Sequence, residues 1–248
     1  MILPLVGTCV AVGSLGVTAS AYATAPAFGS QSADAIVAQA RVAMASAGSV
    51  TASGQGPLNI AGVGKVVTRE SDYSSATSGS QVLQMSSTHL KSGTVLPSAS
   101  VLDVGGHLFV DANAPFWSSS AGLTDTEAHE ASSRWVQIQP SSDLYASAAA
   151  DLTMPSLLTD LFSSDDFHKG SVRTIDGVRT IAITYMNSGN DAGRATCYIA
   201  LGGSHLPVSV TLGGLSLRLK SWGETKAVTA PANAVQLTSL LPPSESTA

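Results

Sequence analysis

Between Ser32 and Gly48 the apolar positions Ile36, Val37, Ala40, Met44 and Ala47 recur three or four residues apart, the spacing of a single helix face. Ser32 or Asp34 is placed to cap the start and Gly48 to end it, so the stretch predicts one amphipathic helix that needs a partner surface. From Ser49 the rhythm changes. The runs "SVTASGQGPLNI", "GKVVTRES" and "SQVLQMSSTHL", set apart by Gly, Ser and Asn clusters, read as strands.

Four later segments carry a hairpin signal. Gly105-Gly106 in "VLDVGGHLFV", Asp176-Gly177 in "VRTIDGVRTIAI", Gly202-Gly203 in "YIALGGSHLPVSV" and Gly213-Gly214 in "VTLGGLSLRL" each lie between apolar arms. Positive φ is easily reached by Gly and tolerated by Asp, so these dipeptides predict tight antiparallel connections. A different segment interrupts the strands. "SSAGLTDTEAHEASSRW" is helix-forming, "WVQIQP" is a short strand, and "SSDLYASAAADLTMPSLLTDLF" predicts two short helices broken at Met154-Pro155. A final strand is expected within "KAVTAPANAVQL", followed by the tail "TSLLPPSESTA", which is polar and Pro-containing enough to predict disorder. The fold class is therefore α+β, a meandering antiparallel sheet with helices inserted in its middle.

Charge and composition narrow what such a domain can do. Charged residues make up 12% of the 248, aromatics 5%, and the net charge is -5, which leaves no basic field for nucleic acid. Asp143, Asp151, Asp160, Asp165 and Asp166 lie between Arg134 and Lys169, a run read as a solvated face before a docking face. No charge precedes Asp34. Residues 1–26 read as a signal peptide ending near Ala21-Tyr22-Ala23, or as an N-terminal anchor, with the usual basic start expected upstream of Met1. Cys9, in "LVGTC", is a possible lipidation site, although its early position and Thr8 favour ordinary cleavage. Either route places the domain outside the cytoplasm, secreted or in the cell envelope, with any membrane contact peripheral. The second cysteine, Cys197, lies in a strand-like run and is expected to be a buried small hydrophobe.

Catalytic patterns are missing. There is no G-x-S-x-G elbow, and Ser204 and His205 are neighbours that a strand would send to opposite faces. His89, His107, His129, His168 and His205 are scattered, H-E-x-x-H is absent, and the Asp165, Asp166 and His168 group is at most a weak chelator. "GVGK" lacks the length and the Ser/Thr of a phosphate loop. The expectation is a binding protein with no catalytic residue, no metal and no cofactor.

The order of these pieces resembles a known family. "DVGGHLFVDANAPFW", "RWVQI", "TIDGVRTIAITY", "ATCYIALGGSHLPVSV" and "LRLKSWGETKAVTAP", after an exported leader and one helix, resemble the actinobacterial LppX/LprG-type lipoproteins and, more distantly, the lipoprotein carrier LolA. The resemblance runs from about Asp34 to Leu237 and implies a curved antiparallel half-barrel with helices on its concave face. It implies a domain over 33–240, preceded by a linker at 27–32 and followed by a disordered tail at 241–248. It also implies an apolar cavity between sheet and helices that takes a lipid, lipoglycan or acylated protein for carriage or storage. Phe116, Trp117, Leu157, Leu158, Leu161 and Phe162 are the candidate cavity walls, while Trp135 and Trp222 are expected as strand anchors beneath the helices. The alternative is a non-enzymatic envelope module that binds another protein and no lipid.

Overall fold

The computed structural model describes residues 27–60, 64–86, 95–132, 134–142, 144–145, 149, 152–187 and 193–240. The leader, Cys9, His89, the first of the two insert helices and the tail at 241–248 lie largely or wholly outside these residues.

Among the described residues twelve strands form one curled sheet: β1 (Ser49–Ile60), β2 (Gly64–Ser75), β3 (Ser78–Ser86), β4 (Ser98–Val104), β5 (His107–Ala112), β6 (Val136–Ile138), β7 (His168–Ile175), β8 (Val178–Asn187), β9 (Gly193–Ala200), β10 (Pro207–Leu212), β11 (Leu215–Lys220) and β12 (Val235–Gln236). Their order is β12-β6-β5-β4-β3-β2-β1-β11-β10-β9-β8-β7, antiparallel at every junction but β12 with β6. The α+β architecture read from the sequence is the one observed. β1 and β11 approach each other closely. A Cβ on Gly54 would stand 1.9 Å from the Ser216 carbonyl oxygen, and one on Gly56 2.4 Å from that of Gly214. Only hydrogen side chains let these two strands close so tightly.

Helices α1 (Ala33–Ala47), α2 (Ala114–Ser120), α3 (Asp125–Ala131) and α4 (Met154–Leu161) cover one face. The ends of α1 follow the sequence reading: Ser32 Oγ accepts from Ala35 N, and Gly48 closes the helix at φ 73°. α3 opens on a capping box in which Thr124 and Glu127 satisfy each other's backbone N–H groups. Helix α2 was not signalled by periodicity, being seven residues long. Asn113 starts it, its Oδ1 accepting from Phe116 N at 3.2 Å and from Ser98 N at 3.1 Å, with Pro115 in the first turn.

Three expectations need correction. Gly202-Gly203 is not a tight turn, because β9 ends at Ala200 and β10 begins at Pro207, leaving a six-residue loop closed by Ala200 N donating to Leu206 O. Proline has no N–H to extend the ladder inward, and His205, at φ 55°, takes the left-handed position in the loop. The final strand shrinks to Val235–Gln236, and 221–234 is an irregular strap interrupted by Pro231. The polar tail is ordered at its start: Leu237–Ser239 forms a 3-10 turn, and Leu237 and Leu240 are buried, since two leucines outweigh the polar residues beside them.

The core divides into two clusters on the concave face. The first joins Ile36, Val37, Ala40 and Met44 of α1 and Leu161 and Phe162 to Val50, Ile181, Ile183, Cys197, Ile199, Val210 and Leu219. The second joins Trp117, Ala128 and Ala131 to Val101, Leu108, Val110, Val136, Ile138, Leu237 and Leu240. Lys169, whose ammonium donates to the carbonyls of Gly29 and Gln31, ties the start of the domain to β7.

Candidate functional site

Cross-strand register fixes which residues share the concave face, because directly paired residues of antiparallel strands project to the same side. One row runs Leu219 (β11), Ala52 (β1), Asp72 (β2), Gln81 (β3), Val101 (β4), Val110 (β5) and Val136 (β6). The next runs Leu217, Gly54, Glu70, Leu83, Ala99 and Ala112, and another pairs Gly56, Thr68 and Met85. The concave face is thus apolar on both flanks, beneath α1 with α4 and beneath α2 with α3. Its middle carries the polar Thr68, Glu70 and Asp72 of β2 and Gln81 of β3 beside the apolar Leu83 and Met85.

The six candidate wall residues separate along this division. Leu161 and Phe162 are buried in the first cluster, with Leu157 and Leu158 half-buried against it. Trp117 is fully buried in the second, and half-buried Phe116 meets it edge-on at 5.6 Å. Arg41 of α1 reaches the end of α4, lying over the Phe162 ring at 5.7 Å and donating to its carbonyl. Tyr185 donates its hydroxyl to Leu161 O. These contacts fix α4 against α1 and β8.

An open apolar cavity of about 430 Å3 lies at one end of the first cluster. The β7–β8 turn, the β9–β10 loop and the end of β11 converge there, and Ala200, Leu206, Pro207, Leu219 and Trp222 form its walls, with Asp176 and Lys220 at the rim. Trp222 lies just beyond β11 rather than on a strand, and it packs against the first cluster from the cavity side. It is half-buried at the cavity, held by its indole N–H donating to Pro207 O at 3.0 Å. Trp135 is likewise half-buried, outside both clusters. The anchoring role falls to Trp117, whose indole N–H donates to Ala112 O. Pattern reading missed Leu206, Leu219 and Trp222 as a group. The signal was the convergence of three chain ends at one edge, which needs the strand order.

The polar groups weighed for chemistry have structural surroundings. His205 stacks on Phe28 with 3.8 Å between ring centroids and 15° between planes. Cys197 is fully buried, and burial raises its thiol pKa well above the ordinary value. His168 Nε2 lies 3.2 Å from Asp166 Oδ2, with both side chains exposed. No group of three His, Cys, Asp or Glu side chains placed to hold a metal ion occurs among the described residues, and none of the described helices is long and apolar enough to cross a membrane.

No family model and no curated protein matches the sequence. Solved structures do share features of the chain trace. LprF from Mycobacterium bovis is 12% identical, with 81% of this chain and 97% of that one covered and a TM-score of 0.46. A LolA superfamily protein from Nitrosomonas europaea is 11% identical over 77% and 92%, with a TM-score of 0.29. MucB from Pseudomonas aeruginosa, solved in complex with MucA, is 13% identical over 85% and 61%, with a TM-score of 0.33. All three TM-scores lie below 0.5, so the likenesses carry no inference about this chain's ligand.

Proposed function

We propose that this protein works outside the cytoplasm as a carrier or store for a lipid or other acylated ligand, held between the sheet and its helices. The supporting observation is the cavity of about 430 Å3 walled by Leu206, Pro207, Leu219 and Trp222, of which Leu206, Leu219 and Trp222 also pack in the cluster under α1 and α4. Its volume falls in the range of small-molecule sites, roughly 300–1,000 Å3, and its apolar walls favour a hydrocarbon over a solvated polar solute. Half-buried Leu157 and Leu158, and Phe116 on the opposite flank, are the further walls such chains would meet. Nothing in this reading needs a catalytic group. Native mass spectrometry of protein purified from its own host tests it. The expected result is a co-purifying hydrophobic mass released by organic solvent, and protein that is consistently empty overturns the reading.

A second reading has one observation of its own. β7 is the terminal strand of the sheet, and its residues His168 to Thr174 are all exposed, so a partner protein could add a strand there. Val172→Pro on that strand would then abolish capture of a defined envelope partner, and unchanged capture would retire the edge as the contact.

A further inference from the structure

Charge is divided unevenly along the sheet. The strands and turns from β7 to β11, residues 168–220, hold six of the twelve Lys and Arg residues and two of the seventeen Asp and Glu residues. That half carries +4 while the remainder of the chain carries -9, within the total of -5.

Register gathers these cations on one side. Cys197, Ile199, Val210 and Leu219 enter the core, so their neighbours along each strand face outward, away from the helices. Arg194 and Tyr198 of β9 and Arg218 and Lys220 of β11 are such neighbours. Arg173 of β7 lies over the Tyr198 ring at 5.6 Å, which puts it on the same outer face. Arg218 donates to Ser209 Oγ at 2.8 Å and lies 3.5 Å from Asp176 Oδ2, whereas Arg173, Arg194 and Lys220 extend into solvent. Asp166, ahead of β7, borders the face beside His168. Val178 and Met186 of β8 alternate with buried Ile181 and Ile183 and so project outward too, 39% and 61% exposed.

Cations on three strands with exposed apolar side chains among them match the interface of an extended anionic surface. Val178 and Lys220 also line the open cavity, so this face and the cavity mouth adjoin. Each Lys or Arg brought close to an anionic bilayer strengthens binding about fivefold. Asp34 of α1 and Asp125, Glu127 and Glu130 of α3 stand in the helix layer on the other side, where salt screens them beyond about 10 Å. Such a charge separation orients the molecule before contact.

Resting on the carrier reading above, we infer that the outer face of β7 to β11 docks on an anionic lipid bilayer. Docking brings the cavity mouth to the surface that supplies or receives its apolar ligand.

Co-sedimentation of the full chain with vesicles tests this. Binding to vesicles of equal parts phosphatidylglycerol and phosphatidylcholine is expected, with little to phosphatidylcholine alone, and it is expected to fall as salt is raised. Arg173→Gln combined with Arg194→Gln, both at exposed positions, is expected to weaken binding at least about tenfold. Ala38→Glu combined with Ala45→Glu, at exposed positions of α1, makes the same change in net charge on the opposite layer and is expected to shift binding by less than about twofold. Equal binding to both vesicle types, or equal loss from the two double variants, overturns the inference. So does sedimentation at low salt without vesicles, the mark of a second copy setting its acidic layer on this face. Protein that binds the anionic vesicles but carries no hydrophobic mass overturns the carrier reading and leaves the docking face standing. Ligand-loaded protein that ignores both vesicle types does the reverse.

Discussion

Trp117 heads the fully buried side chains by size, and it does two jobs at once: its ring fills the space under α2 and α3, and its N–H meets a β5 carbonyl. Trp117→Ala is expected to destabilise the protein by roughly 3–5 kcal/mol, with Trp117→Phe intermediate, as read by urea unfolding. Cys197 presents the opposite case, a group whose chemistry burial suppresses. Its thiol is fully buried and its pKa is raised by desolvation, so the thiolate that reacts with alkylating reagents is scarce. Iodoacetamide followed by peptide mapping should leave Cys197 unmodified in the folded protein and modify it in denaturant. Its burial was legible from the apolar run around it. The inward polar set of β2 was not, because "VVTRESDY" carries polar groups on both sides of the strand. Thr68, Glu70 and Asp72 alternate with Arg69 and Ser71, and a period of two cannot say which set faces inward.

At the scale of elements, local chemistry sets the ends of helices and long-range approach sets which strand positions must be glycine. Ser32→Ala should cost about 1 kcal/mol through loss of the α1 cap, a shift measurable in the thermal midpoint. In α3, Glu127 accepts from Thr124 N at 2.8 Å and Thr124 Oγ1 at 2.7 Å. The side-chain bond first, then the backbone bond, lower its pKa below the ordinary glutamate value of 4.5. A depressed folded pKa means that the capping contribution is present above the ordinary value and is lost as pH falls through the lowered one. Glu127→Gln should flatten that part of the acid dependence, seen as α3 amide shifts by NMR. Strand approach answers to different residues. Gly54→Ala would push a methyl group into the Ser216 backbone, whereas Gly105→Ala meets open space and only an unfavourable φ of 60°. The first is expected to cost several kcal/mol or prevent folding, the second about 1 kcal/mol. Turn glycines such as Gly105 are legible in sequence, since their neighbours define the turn. Gly54 reads only as a weak strand residue until β11, more than 150 positions later, is laid beside it.

The whole molecule is held as one body by the strap that follows β11. Ser49 Oγ donates to Glu224 O, Lys226 N donates to the Tyr73 hydroxyl, and Val235 N donates to Trp135 O, so the strap crosses from the sheet's centre to its far edge. There β12 pairs with β6, and Leu237 and Leu240 enter the cluster around Trp117. Each leucine contributes about 1.5–3 kcal/mol on burial, but only to the second compartment; the first has its own cover in α1 and α4. Ending the chain after Ala234 should therefore act unevenly. Amide exchange is expected to accelerate in β5, β6, α2 and α3, while β8 and β9 keep most of their protection. Uniform acceleration would instead mean that the compartments unfold as a single unit, with the middle of the sheet between them transmitting the loss.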